Sequence, residues 1–102
     1  MNRMLLEAYP LILAEIRELE ERLQKAPHRP GHGELRRRLE MLQAAREQIE
    51  EFVAGLPGFR ARRIVRLKAL EGLSWNEVAR RAGTDMSSEA ARSIYRRALG
   101  LI

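Results

Sequence analysis

Apolar residues recur at spacings of 4, 3, 4, 3 and 4 in Leu5, Tyr9, Ile12, Ile16, Leu19 and Leu23. The same heptad step returns in Leu35, Leu39, Leu42, Arg46, Ile49, Val53 and Leu56, with Arg46 its one polar member. Such a step draws one stripe along an α-helix and has none of the alternation a half-buried strand needs. Between the runs, Ala26-Pro-His-Arg-Pro-Gly-His-Gly33 carries two prolines and two glycines and reads as a loop. The expectation is an antiparallel helical hairpin. Pro10 lacks the N–H for the carbonyl four residues back, so the first helix should start near Tyr9 or kink there while keeping its register. Two helices with one stripe each cannot hide both from water, so a covering partner is implied: the rest of the chain, a second copy, or both. Arg46 either fixes the pairing register or marks a stripe turned toward Ala45.

Gly55-Leu-Pro-Gly58 stops the second helix, with Gly55 placed as its cap. The character of the chain changes here. Residues 1–25 and 26–58 carry net charges of -1 and 0, whereas residues 59–102 hold ten basic against four acidic groups, net +6, more than the whole chain's +5. A segregated basic segment suits a polyanion, because each phosphate it neutralises releases condensed counterions. Two units are therefore expected, a hairpin arm over 1–56 and a basic unit over 59–102.

Local signals in the basic unit predict three short helices. The first runs from about Phe59 to Glu71, with Ile64, Leu67 and Leu70 inward, and ends at Gly72. Ser74-Trp-Asn-Glu77 has the form of a capping box, in which serine and glutamate each satisfy an orphan amide, with Leu73 and Val78 as the flanking staple. The second helix, Trp75 to Ala82, should stop at Gly83, expected in a left-handed conformation. Ser87 or Ser88 caps the third helix, whose buried side would be Ala91, Ile94, Tyr95, Ala98 and Leu99. The side left exposed is Ser88, Glu89, Arg92, Ser93 and Arg96. Arginine can donate two parallel bonds to guanine and glutamate can accept from cytosine, so these residues are the candidate base contacts, Arg92 and Glu89 foremost. Arg62, Arg63, Arg66, Arg80, Arg81 and Arg97, with Arg60, are the candidate phosphate contacts. The layout is all-α, a hairpin followed by a three-helix helix-turn-helix unit.

The run Gly72-Leu-Ser-Trp-Asn-Glu-Val-Ala-Arg-Arg-Ala-Gly83, followed by Ser87-Ser-Glu-Ala-Ala-Arg-Ser-Ile-Tyr-Arg-Arg-Ala-Leu99, resembles the fourth region of bacterial sigma factors. The order of elements resembles phage-encoded sigma-like regulators of the RinA and ArpU late-gene activator type. That resemblance implies a transcription regulator binding double-stranded DNA, with Ser88, Glu89, Arg92 and Ser93 at DNA-reading positions and RNA polymerase as a further candidate partner. Homodimerisation through the N-terminal helices is expected. Two other readings are a DNA-packaging protein akin to terminase small subunits, and a docking protein that never touches bases.

Other features lower competing expectations. No cysteine is present, which excludes disulfides and thiolate metal sites and points to a cytoplasmic protein. His28 and His32 lie four apart in a Pro/Gly loop without a third ligand, so no metal is expected. Arg36, Arg37 and Arg38 point in different directions on a helix beside Glu34 and Glu40, a solvated face. Trp75 is expected to pack against a neighbouring helix, not to stack on a base. The opening segment has Glu7 and Pro10 within it and reads as neither signal peptide nor membrane span. No catalytic grouping or cofactor motif is present, and a non-enzyme without cofactor is expected.

Overall fold

A computed structural model describes residues 1–26 and 30–100. These residues form six α-helices and one π-helical segment: α1 (Arg3–Glu7), α2 (Tyr9–Lys25), α3 (His32–Ala54), α4 (Phe59–Val65) running on as the π-helical Arg66–Leu70, α5 (Trp75–Ala82) and α6 (Ser88–Ala98). No strand occurs among them. Part of the expected loop, Pro27, His28 and Arg29, lies outside the described residues.

The Asn2 side chain caps α1, accepting from the amides of Met4 and Leu5. The helix stops at Ala8 because Pro10, second residue of α2, can offer no bond to the Leu6 carbonyl and its ring crowds that group. The break corrects the expected register. Leu6 is fully buried and Leu5 only half-buried, one position from the predicted seam; beyond the break Tyr9, Ile12, Ile16 and Leu19 are buried as their spacing predicts.

Helix α2 packs along α3, and the Tyr9 hydroxyl near the start of α2 donates to Glu50 near the end of α3, so the two run antiparallel. Burial is graded along the pair. Ile49, Val53 and Leu56 are buried, whereas Leu23, Leu35, Leu39 and Leu42, toward the α2–α3 connection, are half-buried. Two helices cover one side of each stripe, and a third layer exists only at the base, where the π-helical segment meets α1 and α2 and where α4 meets α3. Arg46 and Ala45 are both half-buried, side by side on the edge of the stripe.

One core runs through the whole base. It joins Leu6, Tyr9 and Ile12 to Val53 and Leu56, then to Ile64, Val65, Leu67 and Ala69, and on to Val78, Ala79, Ala91 and Tyr95. The junction expected between residues 56 and 59 is thus a turn in the chain, with Gly58 at φ 84°, and not a gap in the packing. The hairpin projects from this base and the molecule measures 55 × 22 × 18 Å.

The helix expected from Phe59 to Glu71 changes character at Arg66. The Glu71 amide reaches the Arg66 carbonyl, five residues back, at 3.0 Å, and the Leu73 amide reaches Leu67 at 3.2 Å. Ile64 and Val65 before the wider turn and Leu67 and Ala69 within it are buried, whereas Leu70 is only half-buried, so the predicted inward set is corrected at Leu70. The segment is packed from two sides, by α1 and α2 and by α5, and a narrow α-helical stripe would serve only one.

Two glycines follow with different geometry. Gly72 sits at φ 69°, with 3.9 Å of room between an added Cβ and Pro10, so its constraint is conformational. Gly83 was expected to be left-handed and is not: its φ of 174° and ψ of 155° are extended backbone. Gly72→Ala should therefore destabilise by about 1–2 kcal/mol. Gly83→Ala, whose new Cβ would meet Met86 at 3.9 Å, should be neutral or gain up to about 1 kcal/mol through the unfolded chain. Urea midpoints of the two variants check this, and equal losses would contradict it.

Candidate nucleic-acid interface

Helix α5 starts where Ser74 accepts the Glu77 amide at 3.3 Å. The reciprocal half of the capping box is absent. The Glu77 carboxylate turns to Arg80 and Arg81 instead, and the hydrogen bond from Arg81, at 2.9 Å, is the main influence holding its pKa below the ordinary carboxylate value. Two guanidinium groups outcompete one backbone amide for the same charge. Helix α6 is capped by Ser87, which accepts the Ala90 amide at 3.0 Å.

Ala91 and Tyr95 are the fully buried residues of α6, with Ile94, Ala98 and Leu99 half-buried beside them. Glu89, Arg92, Ser93 and Arg96 are exposed. Their spacing of 3, 1 and 3 puts them on one face, away from Ala91 and Tyr95. Ser88, the remaining member of the predicted set, is half-buried and its Oγ lies 2.7 Å from Asn76 Oδ1, joining the starts of α5 and α6. The hydroxyl donates to the amide oxygen, and the sequence reading missed Asn76 because the two residues are distant in the chain.

The candidate phosphate-binding arginines divide by what they already touch. Arg62 donates to the Leu56 carbonyl at 2.8 Å and closes the α3–α4 turn; Arg63 donates to the Arg81 carbonyl at 3.0 Å, at the end of α5. Arg80 and Arg81 share Glu77. Arg60, Arg66 and Arg97 are exposed and form no ion pair among the described residues, and the same holds for Arg96 of the candidate base-reading face. Arg92 lies over the Trp75 ring, 5.8 Å from its centroid. Trp75 itself packs edge-on against Tyr95, centroids 5.2 Å apart at 78°, as expected of a residue between helices.

Tyr95 carries the site's link to the N-terminus, its hydroxyl donating to Glu7 Oε2 at 2.7 Å. Burial, then the bond to Glu7, pushes this phenol above its ordinary pKa. Burial and the bond to Glu50 likewise push Tyr9 up to about 12. Each phenol holds its proton more tightly folded than unfolded, so stability is intact below pH 10 and should fall as pH rises through the 10 to 12 window. Tyr9→Phe and Tyr95→Phe should flatten that decline in denaturant midpoints measured against pH; an unchanged slope in both would show that these bonds are not the titrating elements.

No three His, Asp or Glu side chains gather as metal ligands among the described residues. His32 is buried at the start of α3 with its Nδ1 unpartnered, and the His28 half of the spacing noted above lies outside the described residues. No described helix is long and apolar enough to cross a membrane.

No protein-family model, curated protein or solved structure matches this chain.

Proposed function

We infer that this chain is a sequence-specific regulator of transcription that binds double-stranded DNA, with α5 and α6 as a helix-turn-helix and α6 as the helix entering the major groove. The observation that carries the reading is the exposed face Glu89, Arg92, Ser93 and Arg96, set opposite buried Ala91 and Tyr95 on a helix capped by Ser87. Groove width admits a helix, and these side chains are donors and acceptors matched to base edges. Arg60, Arg66 and Arg97 supply the charge that holds the helix to the backbone, setting register without reading sequence.

The resemblance to sigma-like phage regulators supports a cytoplasmic protein that acts on promoters, with RNA polymerase as a partner. The half-buried Leu23, Leu35, Leu39 and Leu42 favour dimerisation through the hairpin, which would double the number of bases read. Selection of bound sequences from random duplexes tests the reading: one recurrent motif, in two symmetry-related halves if the protein is dimeric, is the expected result. Retention of duplexes with no enriched motif would overturn base reading, and a ring larger than a dimer by light scattering would turn the assignment toward DNA packaging.

A further inference from the structure

Trp75 is the chain's only tryptophan, and reading bases from α6 does not by itself require one on α5. Its ring is nevertheless the meeting point of the site. The Lys68 ammonium lies 4.9 Å from its centroid and the Arg92 guanidinium 5.8 Å. Lys68 is tied down separately, donating to the Leu73 carbonyl at 3.1 Å. On its other contact, the ring abuts Tyr95, which is 1% exposed and hydrogen-bonded to Glu7 on α1. Glu7 in turn accepts from Arg3 at 3.2 Å.

An exposed arginine is a flexible chain that must freeze several torsions before its fork can donate two parallel bonds. A guanidinium held over an indole has made part of that sacrifice already, since the ring's negative face attracts the cation. The indole cannot drift either, because a fully buried tyrosine anchored 88 residues away in the sequence stands behind it.

We propose that Trp75 is a positioning residue for recognition of guanine: backed by Tyr95 and Glu7, it seats Arg92 for two-bond donation, so the protein's sequence preference, and not its general affinity for duplex DNA, depends on a relay from α1 through α6 to α5. This rests on the reading of α6 as the groove helix.

The test uses the full chain, the selected duplex, and duplexes substituted one base pair at a time. Arg92→Ala identifies the base pair it reads, where preference should fall by about tenfold to a hundredfold. Trp75→Leu should lower preference at that same base pair by several-fold, leave binding to random duplex within about twofold, and add nothing in the Arg92→Ala background. Tyr95→Phe, which keeps the ring and loses the bond to Glu7, should give a smaller loss at the same position. Trp75→Phe, retaining a weaker π face, should fall between parent and Trp75→Leu, and stands in if the leucine variant does not fold.

Unchanged preference in the Trp75 variants, or an equal loss with and without Arg92, overturns the proposal and leaves Trp75 as packing alone. Trp75 fluorescence in the free protein separates this from failure of DNA reading: Arg92→Ala should alter the emission whether or not any duplex binds. Emission identical to the parent means the guanidinium is not seated on the ring. If emission changes but Arg92→Ala leaves every base preference intact, the seat is real and the base-reading role of Arg92 is what fails.

Discussion

A fragment of residues 58–102, keeping α4 to α6 and all of the net positive charge, is expected to be largely unfolded. Its would-be core residues Ile64, Val65, Leu67 and Ala69 are buried in part by α1, α2 and α3, through a cluster that includes Leu6, Tyr9, Val53 and Leu56. Removing those elements exposes the apolar side of the π-helical segment and strands the Tyr95 hydroxyl without Glu7. Chains near this length are marginal even with a complete core, because too little of their surface is buried. In the intact chain the same dependence should appear as a loss of about 2–5 kcal/mol for Leu6→Ala, a large part of the stability of a domain this size. Circular dichroism and amide dispersion of the fragment decide the matter: a cooperative thermal transition with dispersed resonances would show that the C-terminal helices stand alone.

The second large effect is on binding. If Arg60, Arg66 and Arg97 reach phosphates, log affinity should fall with log salt at a slope of roughly −3 per protomer, about fiftyfold between 50 and 200 mM. Arg97→Ala should weaken binding to all sequences and make the slope shallower by about 1. Arg62→Ala is the contrast. Its guanidinium holds the Leu56 carbonyl, so its loss should lower the melting temperature and leave the slope alone. A slope near zero, or one that Arg62→Ala changes as much as Arg97→Ala does, would contradict this division of the arginines.

That division shows how far the sequence could be read. Helical stripes follow from spacing, and Tyr9, Ile12, Ile16, Leu19, Ile49 and Val53 lie in the core where spacing put them. The serine caps at Ser74 and Ser87 are local chemistry and were legible for that reason. Leu6 was missed because Pro10 interrupts the helix and the register slips by one. The π-helical turn was missed because no apolar spacing distinguishes it; its cause is packing from two sides. The roles of Arg62, Arg63 and Ser88 depend on where Leu56, Arg81 and Asn76 arrive in three dimensions. Charge and helix phase could nominate those residues but could not assign their partners.

The stretch Arg66–Leu70 is also a phasing device between the two ends of the molecule. Each residue of an α-helix advances the chain by about 100° around its axis. A turn closed by bonds five residues back takes up one residue more for nearly the same rotation. Forcing these five residues into ordinary α geometry would swing α5 and α6 round by a large angle relative to the hairpin, whereas deleting one residue would nearly keep the phase. Substitutions that abolish the wider turn at constant length would therefore alter which way the groove-facing surface points while leaving its chemistry untouched.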